Sequence, residues 1–177
     1  WVFRAGSDQA FNKGSFPRLY DLANRTRSIH PQIILQANTI EHSIRAMSNG
    51  NVSRHILANF GDTFDNFDVE AFENFCSELN RGLEKELLTI QESVSRWGRP
   101  TPFHSTLGWI NRTEGCSWLM TREDWEKYGP MPPMREGITG DCWITDQLQK
   151  AGYPDFMVRD CVTYHFFRGE SIQRYGG

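Results

Sequence analysis

A single α/β domain spanning residues 1–177, with a mixed or mostly parallel sheet flanked by helices, is the fold class that this sequence predicts. Three observations carry it. The run Ile33-Ile34-Leu35 is apolar without alternation, as suits a strand covered on both faces. Val69, Phe72, Phe75, Cys76, Leu79, Leu83, Leu87, Ile90 and Val94 recur at steps of three and four, the spacing of one helix face. Phe156-Met157-Val158 and Cys161-Val162-Thr163-Tyr164 read as strand segments that lead to His165. A chain of 177 residues is the size of one domain, and a domain of that size buries roughly 70% of the surface its unfolded form exposes.

Taken in order, Trp1-Val2-Phe3-Arg4 is strand-like and breaks at Ala5-Gly6-Ser7-Asp8. A chain that opens inside a strand leads us to expect further sequence upstream. Ser15 is expected to cap a short helix with Pro17 in its first turn and Leu19, Leu22 and Ala23 on one face, ended by Pro31. Ser48-Asn49-Gly50-Asn51 is a turn, and Ile56 to Phe60 is a strand or a short helix. Asp65, Asn66 and Asp68 offer caps for a long amphipathic helix that continues through Val94 and stops at Gly98 and Pro100; Gly82 marks a break or a close contact within it. Leu107 to Ile110 reads as a strand. Thr121 begins a helix, with Asp124 three residues on in a capping-box arrangement, and Lys127-Tyr128-Gly129-Pro130 ends it. Met131 to Met134 is a loop, and Gly140 leads into a helix over 141–151 with Trp143, Ile144, Leu148 and Ala151 as its apolar face and Gly152 as its stop.

Composition excludes several classes. Apolar residues make up 38% and charged residues 23%, a globular balance that argues against disorder. A net charge of −3 and a pI near 6.0 provide no basic field for nucleic acid. No apolar run approaches the length of a membrane span, and no signal-peptide pattern opens the chain. Cys76, Cys116, Cys142 and Cys161 form no CxxC or zinc spacing, so buried reduced thiols are expected. Reduced thiols and the missing signal favour a cytoplasmic location, with the secretory pathway as the alternative. The sequons at Asn24, Asn51 and Asn111 carry little weight without a signal. No P-loop, GxGxxG or Ser-His-Asp arrangement points to an NTPase, dehydrogenase or hydrolase.

The chemistry-bearing residues fall in two stretches. The first is Gly6-Ser7-Asp8-Gln9. The second runs through Gly115 to Met120, Arg122, Trp125, Gly129, Gly140-Asp141, Gly152-Tyr153, Tyr164-His165 and Arg168 to Ser171. Their order resembles the acceptor-side, C-terminal portion of family-2-like glycosyltransferases with the GT-A fold. Residues 1–40 and 106–171 carry the likeness, and 41–105 match nothing in it. Ser7-Asp8-Gln9 stands where the family's Asp-x-Asp motif would, with one carboxylate instead of two or three. The upstream nucleotide-binding half is absent from these residues.

What the resemblance implies is a domain that transfers a sugar from a nucleotide-sugar donor to the hydroxyl of a carbohydrate or other acceptor. Asp141 would be the general base, Asp8 and His165 would hold a divalent metal (Mn²⁺ or Mg²⁺), and Gln9, Trp118, Gly140 and Arg168 would contact substrate. On the residues alone, each has a second role. A carboxylate in a first helical turn complements the helix dipole, and Gly-Ser-Asp is ordinary turn chemistry. His165 also suits a packed core position, and Arg168 could pair with Glu170. Asp146 falls on a different helix face from Asp141 and reads as solvated. Trp143 reads as core, whereas Trp109 and Trp118 stay open between core and sugar stacking. Two further functional classes remain: a non-catalytic sugar-binding or assembly module derived from that fold, and an unrelated α/β interaction domain.

Overall fold

The computed structural model describes residues 1–6, 8–42, 56–89, 92, 103–105, 108–110, 118–129, 144, 147, 148 and 150–166. They build a mixed α/β fold around one curled sheet. Strands β1 (Val2–Arg4), β2 (Gln9–Phe11), β3 (Ile34–His42), β4 (Ile56–Ala58), β5 (Leu87–Thr89), β8 (Trp118–Met120) and β9 (Asp155–His165) belong to it, and β6 (Phe103–Ser105) and β7 (Gly108–Ile110) form a separate hairpin. Its path is β1-β8-β3-β9-β2, with β4 on β3 and β5 on β9. Only β3 with β4 and β3 with β9 run parallel among the described pairings, so the sheet is mixed and the mostly parallel expectation is corrected. Consecutive strands β1 and β2 lie at opposite ends of the path, yet the rings of Phe3 and Phe11 are 5.5 Å apart. The sheet must curl to bring them together.

Helix α1 (Ser15–Arg27) covers one face, packing Leu19, Leu22 and Ala23 on Leu35, Ala37, Val158 and Cys161. Its cap differs from expectation. Gly14, at φ +83°, occupies the cap position, and Ser15 is the first helical residue, its hydroxyl donating to the Asn12 side chain. A left-handed residue at that corner is far easier for glycine than for serine. Helix α2 (Val69–Leu79) is capped by Asp68, whose carboxylate accepts from the Ala71 N–H at 2.9 Å. It packs Phe72 and Cys76 against Ile40, Val162 and Tyr164. Helix α3 (Arg122–Tyr128) starts as the sequence predicts: the Thr121 hydroxyl oxygen accepts from the Asp124 N–H at 3.0 Å.

The long helix through Val94 is the main correction. Helix α2 ends at Leu79, Gly82 turns the chain at φ +74°, and Leu87–Thr89 is a strand paired antiparallel with β9. Leu88 is buried there while Thr89 is exposed, the alternation of a strand and not of a helix face. The side of β9 left open by β3 offers ladder hydrogen bonds, and these outweigh a helical spacing that Leu83 and Leu87 continue only in sequence. β9 itself carries an irregularity, since Ala37 faces Val158 but Asn38 faces Val162. The Arg159 guanidinium fills the step, donating to the carbonyl of Leu83 at 2.6 Å and to the Asp160 carboxylate.

Near the end of the chain, residues 144, 147, 148 and 150 are helical and Gly152 stops that helix at φ +79°, with the Tyr153 N–H returning to the Leu148 carbonyl. Ile144 and Leu148 are buried with Ile34 and Met120. The Tyr153 hydroxyl donates to buried Asp124 at 2.7 Å, and burial first, then that bond, raises the phenol above its ordinary range. Cys76 and Cys161 are buried free thiols, as expected, and burial pushes both up to about 12. Cys116, Cys142, Trp143, the turn at 48–51, the loop at 131–134 and the sequons at Asn51 and Asn111 lie outside the described residues. Among the described residues, no helix is long and apolar enough to cross a membrane.

Candidate functional site

Parallel pairing of β3 with β4 and β9 sets His42, Ala58 and His165 along one edge, where Glu41 is level with His165 and His42 with Ala58. Ligands of α/β sheets bind outside the carboxyl ends of parallel strands. Strand β2 runs the other way beside β9, with Gln9 opposite His165, so Asp8 arrives at the same edge. Here His165 Nε2 lies 3.2 Å from Asp8 Oδ2. Both are largely sheltered, with side chains 10% and 22% exposed.

The backbone around the pair is tied down. The Phe166 N–H donates to the Asp8 carbonyl at 3.0 Å, and the Gly6 N–H donates to Gln9 Oε1 at 3.0 Å. A Cβ at Gly6 would stand 3.0 Å from Asp8 Oδ1 and 3.2 Å from the Gln9 amide, tighter than ordinary contact. A methyl there would press on these two side chains, which would have to shift to admit it.

A carboxylate and an imidazole at this spacing suit a metal that accepts both oxygen and nitrogen, Mn²⁺ among them. Gln9 contributes no obvious third donor, because its amide oxygen is engaged by Gly6. Among the described residues, no three His, Cys, Asp or Glu side chains group as a metal site. The protein would then supply two donors, leaving the others to phosphate and water, which is the habit of nucleotide-bound Mg²⁺ and Mn²⁺.

Of the residues singled out from sequence, the structure brings together Asp8, Gln9 and His165, which are 156 or more positions apart for the two Asp8/Gln9–His165 relations. Asp141, Gly140 and Arg168 lie outside the described residues, and so do the side chains of Trp109 and Trp118.

A second pair at this edge was not legible in the sequence. His42, fully buried, meets Asp62 with Nε2 to Oδ1 at 2.8 Å, and the Asp62 side chain is 52% exposed. The loop carrying Asp62 is built to hold it. The Tyr164 hydroxyl donates to the Gly61 carbonyl at 2.9 Å and accepts from the Phe60 N–H at 3.2 Å. Asn66 Oδ1 accepts from the N–H groups of Asp62 and Thr63, at 3.0 Å and 2.9 Å. Gly61 adopts φ +124°, and a Cβ there would lie 2.9 Å from the Asn66 carbonyl carbon and nearer still to its oxygen. The only sequence signal was Gly61-Asp62 itself, a turn dipeptide by composition.

Compared with models of known protein families, with curated proteins and with solved structures, the chain gives no match.

Proposed function

We propose that this chain is a glycosyltransferase-like domain of GT-A type, which transfers a sugar from a nucleotide-sugar donor to an acceptor hydroxyl. The observation that carries the reading is the Asp8–His165 pair at the carboxyl edge of β9, the place where the resemblance puts the donor's diphosphate. Asp8 and His165 are the residues that would hold a divalent cation, and such an ion neutralises a leaving diphosphate as a Lewis acid. Gly6 and Gln9 position the Asp8 loop. Arg168 would pair with phosphate oxygens, Trp118 and Gly140 would contact sugar or acceptor, and Asp141 would take the acceptor proton, all as the sequence resemblance implies.

Calorimetric titration of the folded protein with UDP in the presence of Mn²⁺ tests this. Saturable heat is expected, with affinity lowered at least about tenfold in Asp8→Asn, a cost of the order that perturbing a metal site brings. Absence of heat from a folded protein would favour the non-catalytic module, whose single remaining carboxylate at the Asp-x-Asp position is its best support.

A further inference from the structure

A cleft of about 420 Å³ lies beside the C-terminal turn of α2, among residues that take no part in the Asp8–His165 pair. We infer that it binds a small zwitterion of α-amino-acid type, with the ligand's ammonium held by Asn80 and Glu73 and its carboxylate by Lys13. The inference does not rest on the glycosyltransferase reading.

Three segments wall the cleft: the end of α2, the corner between β2 and α1, and the irregular step of β9 at Arg159 and Asp160. Its volume falls in the range of small-ligand pockets, but its lining is mostly polar. Leu83 and Cys76 are the apolar members, and no aromatic ring lines it to stack on the apolar face of a sugar.

Most of the polar groups are already committed. The Arg159 guanidinium donates to both oxygens of Asp160, at 2.8 Å and 2.6 Å, and to the Leu83 carbonyl at 2.6 Å. The Asn12 side chain accepts from the Val162 N–H and the Ser15 hydroxyl and donates to the Asp160 carbonyl. Three groups are left over. Asn80 Oδ1 is buried and has no hydrogen-bond partner in the chain, a rare state for an acceptor in a native protein. Glu73 Oε1 accepts from the Lys13 N–H at 2.6 Å, and Oε2 has no partner among the described residues. Lys13 itself is exposed, and its ammonium makes no ion pair among the described residues, although its own N–H reaches that carboxylate.

The helix end adds to the acceptor side. Asn80 caps α2, whose last turn contains no basic residue, and the partial negative charge of a helix C-terminus favours a cation. Two acceptors and a negative helix pole call for an N–H-rich cation, while Lys13 calls for an anion. A simple amine would leave Lys13 unanswered, and a simple carboxylate would leave Asn80 Oδ1 unanswered. A molecule that carries an ammonium and a carboxylate on neighbouring atoms answers both.

The experiment follows backbone-amide NMR of the folded protein while L-amino acids of each side-chain class are added singly, with glucose as a neutral control. Saturable shifts are expected at Asn12, Ser77 and Asn80 with at least one amino acid, and none with glucose. The amide of that amino acid, which lacks the carboxylate, and its N-acetyl derivative, which lacks the ammonium, should each bind at least about tenfold more weakly, as loss of one charged hydrogen bond implies. Lys13→Met should bind the acid and its amide within about twofold of each other, because the group that tells them apart is gone. Glu73→Gln should weaken the amino acid by about tenfold while leaving the N-acetyl derivative near its parent affinity. No shift with any amino acid would mean that the cleft holds water only and would overturn the inference. Equal response to glucose would overturn it as well, and so would a Lys13→Met protein that keeps the parent's preference for the acid over the amide.

Discussion

The two His–Asp pairs at the carboxyl edge differ in which partner meets water. In one, Asp8 and His165 are both largely sheltered. In the other, the imidazole of His42 is sealed in the core while Asp62 is half exposed. The difference follows from how each carboxylate is delivered. Asp8 is one residue from a strand paired with β9, so sheet register sets its position. Asp62 is four residues beyond β4 and depends on hydrogen bonds inside its own loop and from Tyr164.

Loss of Gly61 should separate the pairs most sharply. Gly61→Ala combines a positive φ with a clash against backbone, and we expect a loss of roughly 2–4 kcal/mol in urea unfolding. NMR shifts should move at His42 and stay near their parent values at His165. The next largest effect is expected from Tyr164→Phe, which leaves the Phe60 N–H and the Gly61 carbonyl without their hydroxyl partner, at a cost of about 1–3 kcal/mol. Denaturant melts together with hydrogen exchange at Phe60 would show it; unchanged exchange there would mean that the loop holds itself. The smallest change in stability should come from Gly6→Ala, within about 1 kcal/mol, because the atoms a methyl would meet belong to side chains. Its effect should appear instead as weaker Mn²⁺–UDP heat, since Asp8 and Gln9 must move aside. If the heat were unchanged, the close approach at Gly6 would have no part in the site.

Much of the local structure was legible. Thr121 and Asp68 cap helices α3 and α2, Gly152 stops the helix before β9, and the buried run at Ile33 to Leu35 opens the central strand β3. Each is a short-range effect, in which a side chain satisfies a nearby N–H or a glycine permits a turn. The segment 83–89 was misread because an apolar spacing of three and four cannot report that β9 has an open side. Half of the first pair's logic was visible too: Asp8 and His165 stood out by type and order. The second pair was hidden, because nothing around His42 or Asp62 in the sequence indicates that β3 and β4 run parallel.

Caps, stops and buried strands were thus decided by the chain's own residues, through interactions a few positions long, and the lack of a basic excess or a long apolar run is a matter of composition and order alone. Strand order, the curl that joins β1 to β2 and the meeting of Asp8 with His165 and of His42 with Asp62 were decided only in three dimensions. The physical reason is that ladder pairing and burial reward contacts between distant segments, and the competition among possible partners is settled by the whole fold at once.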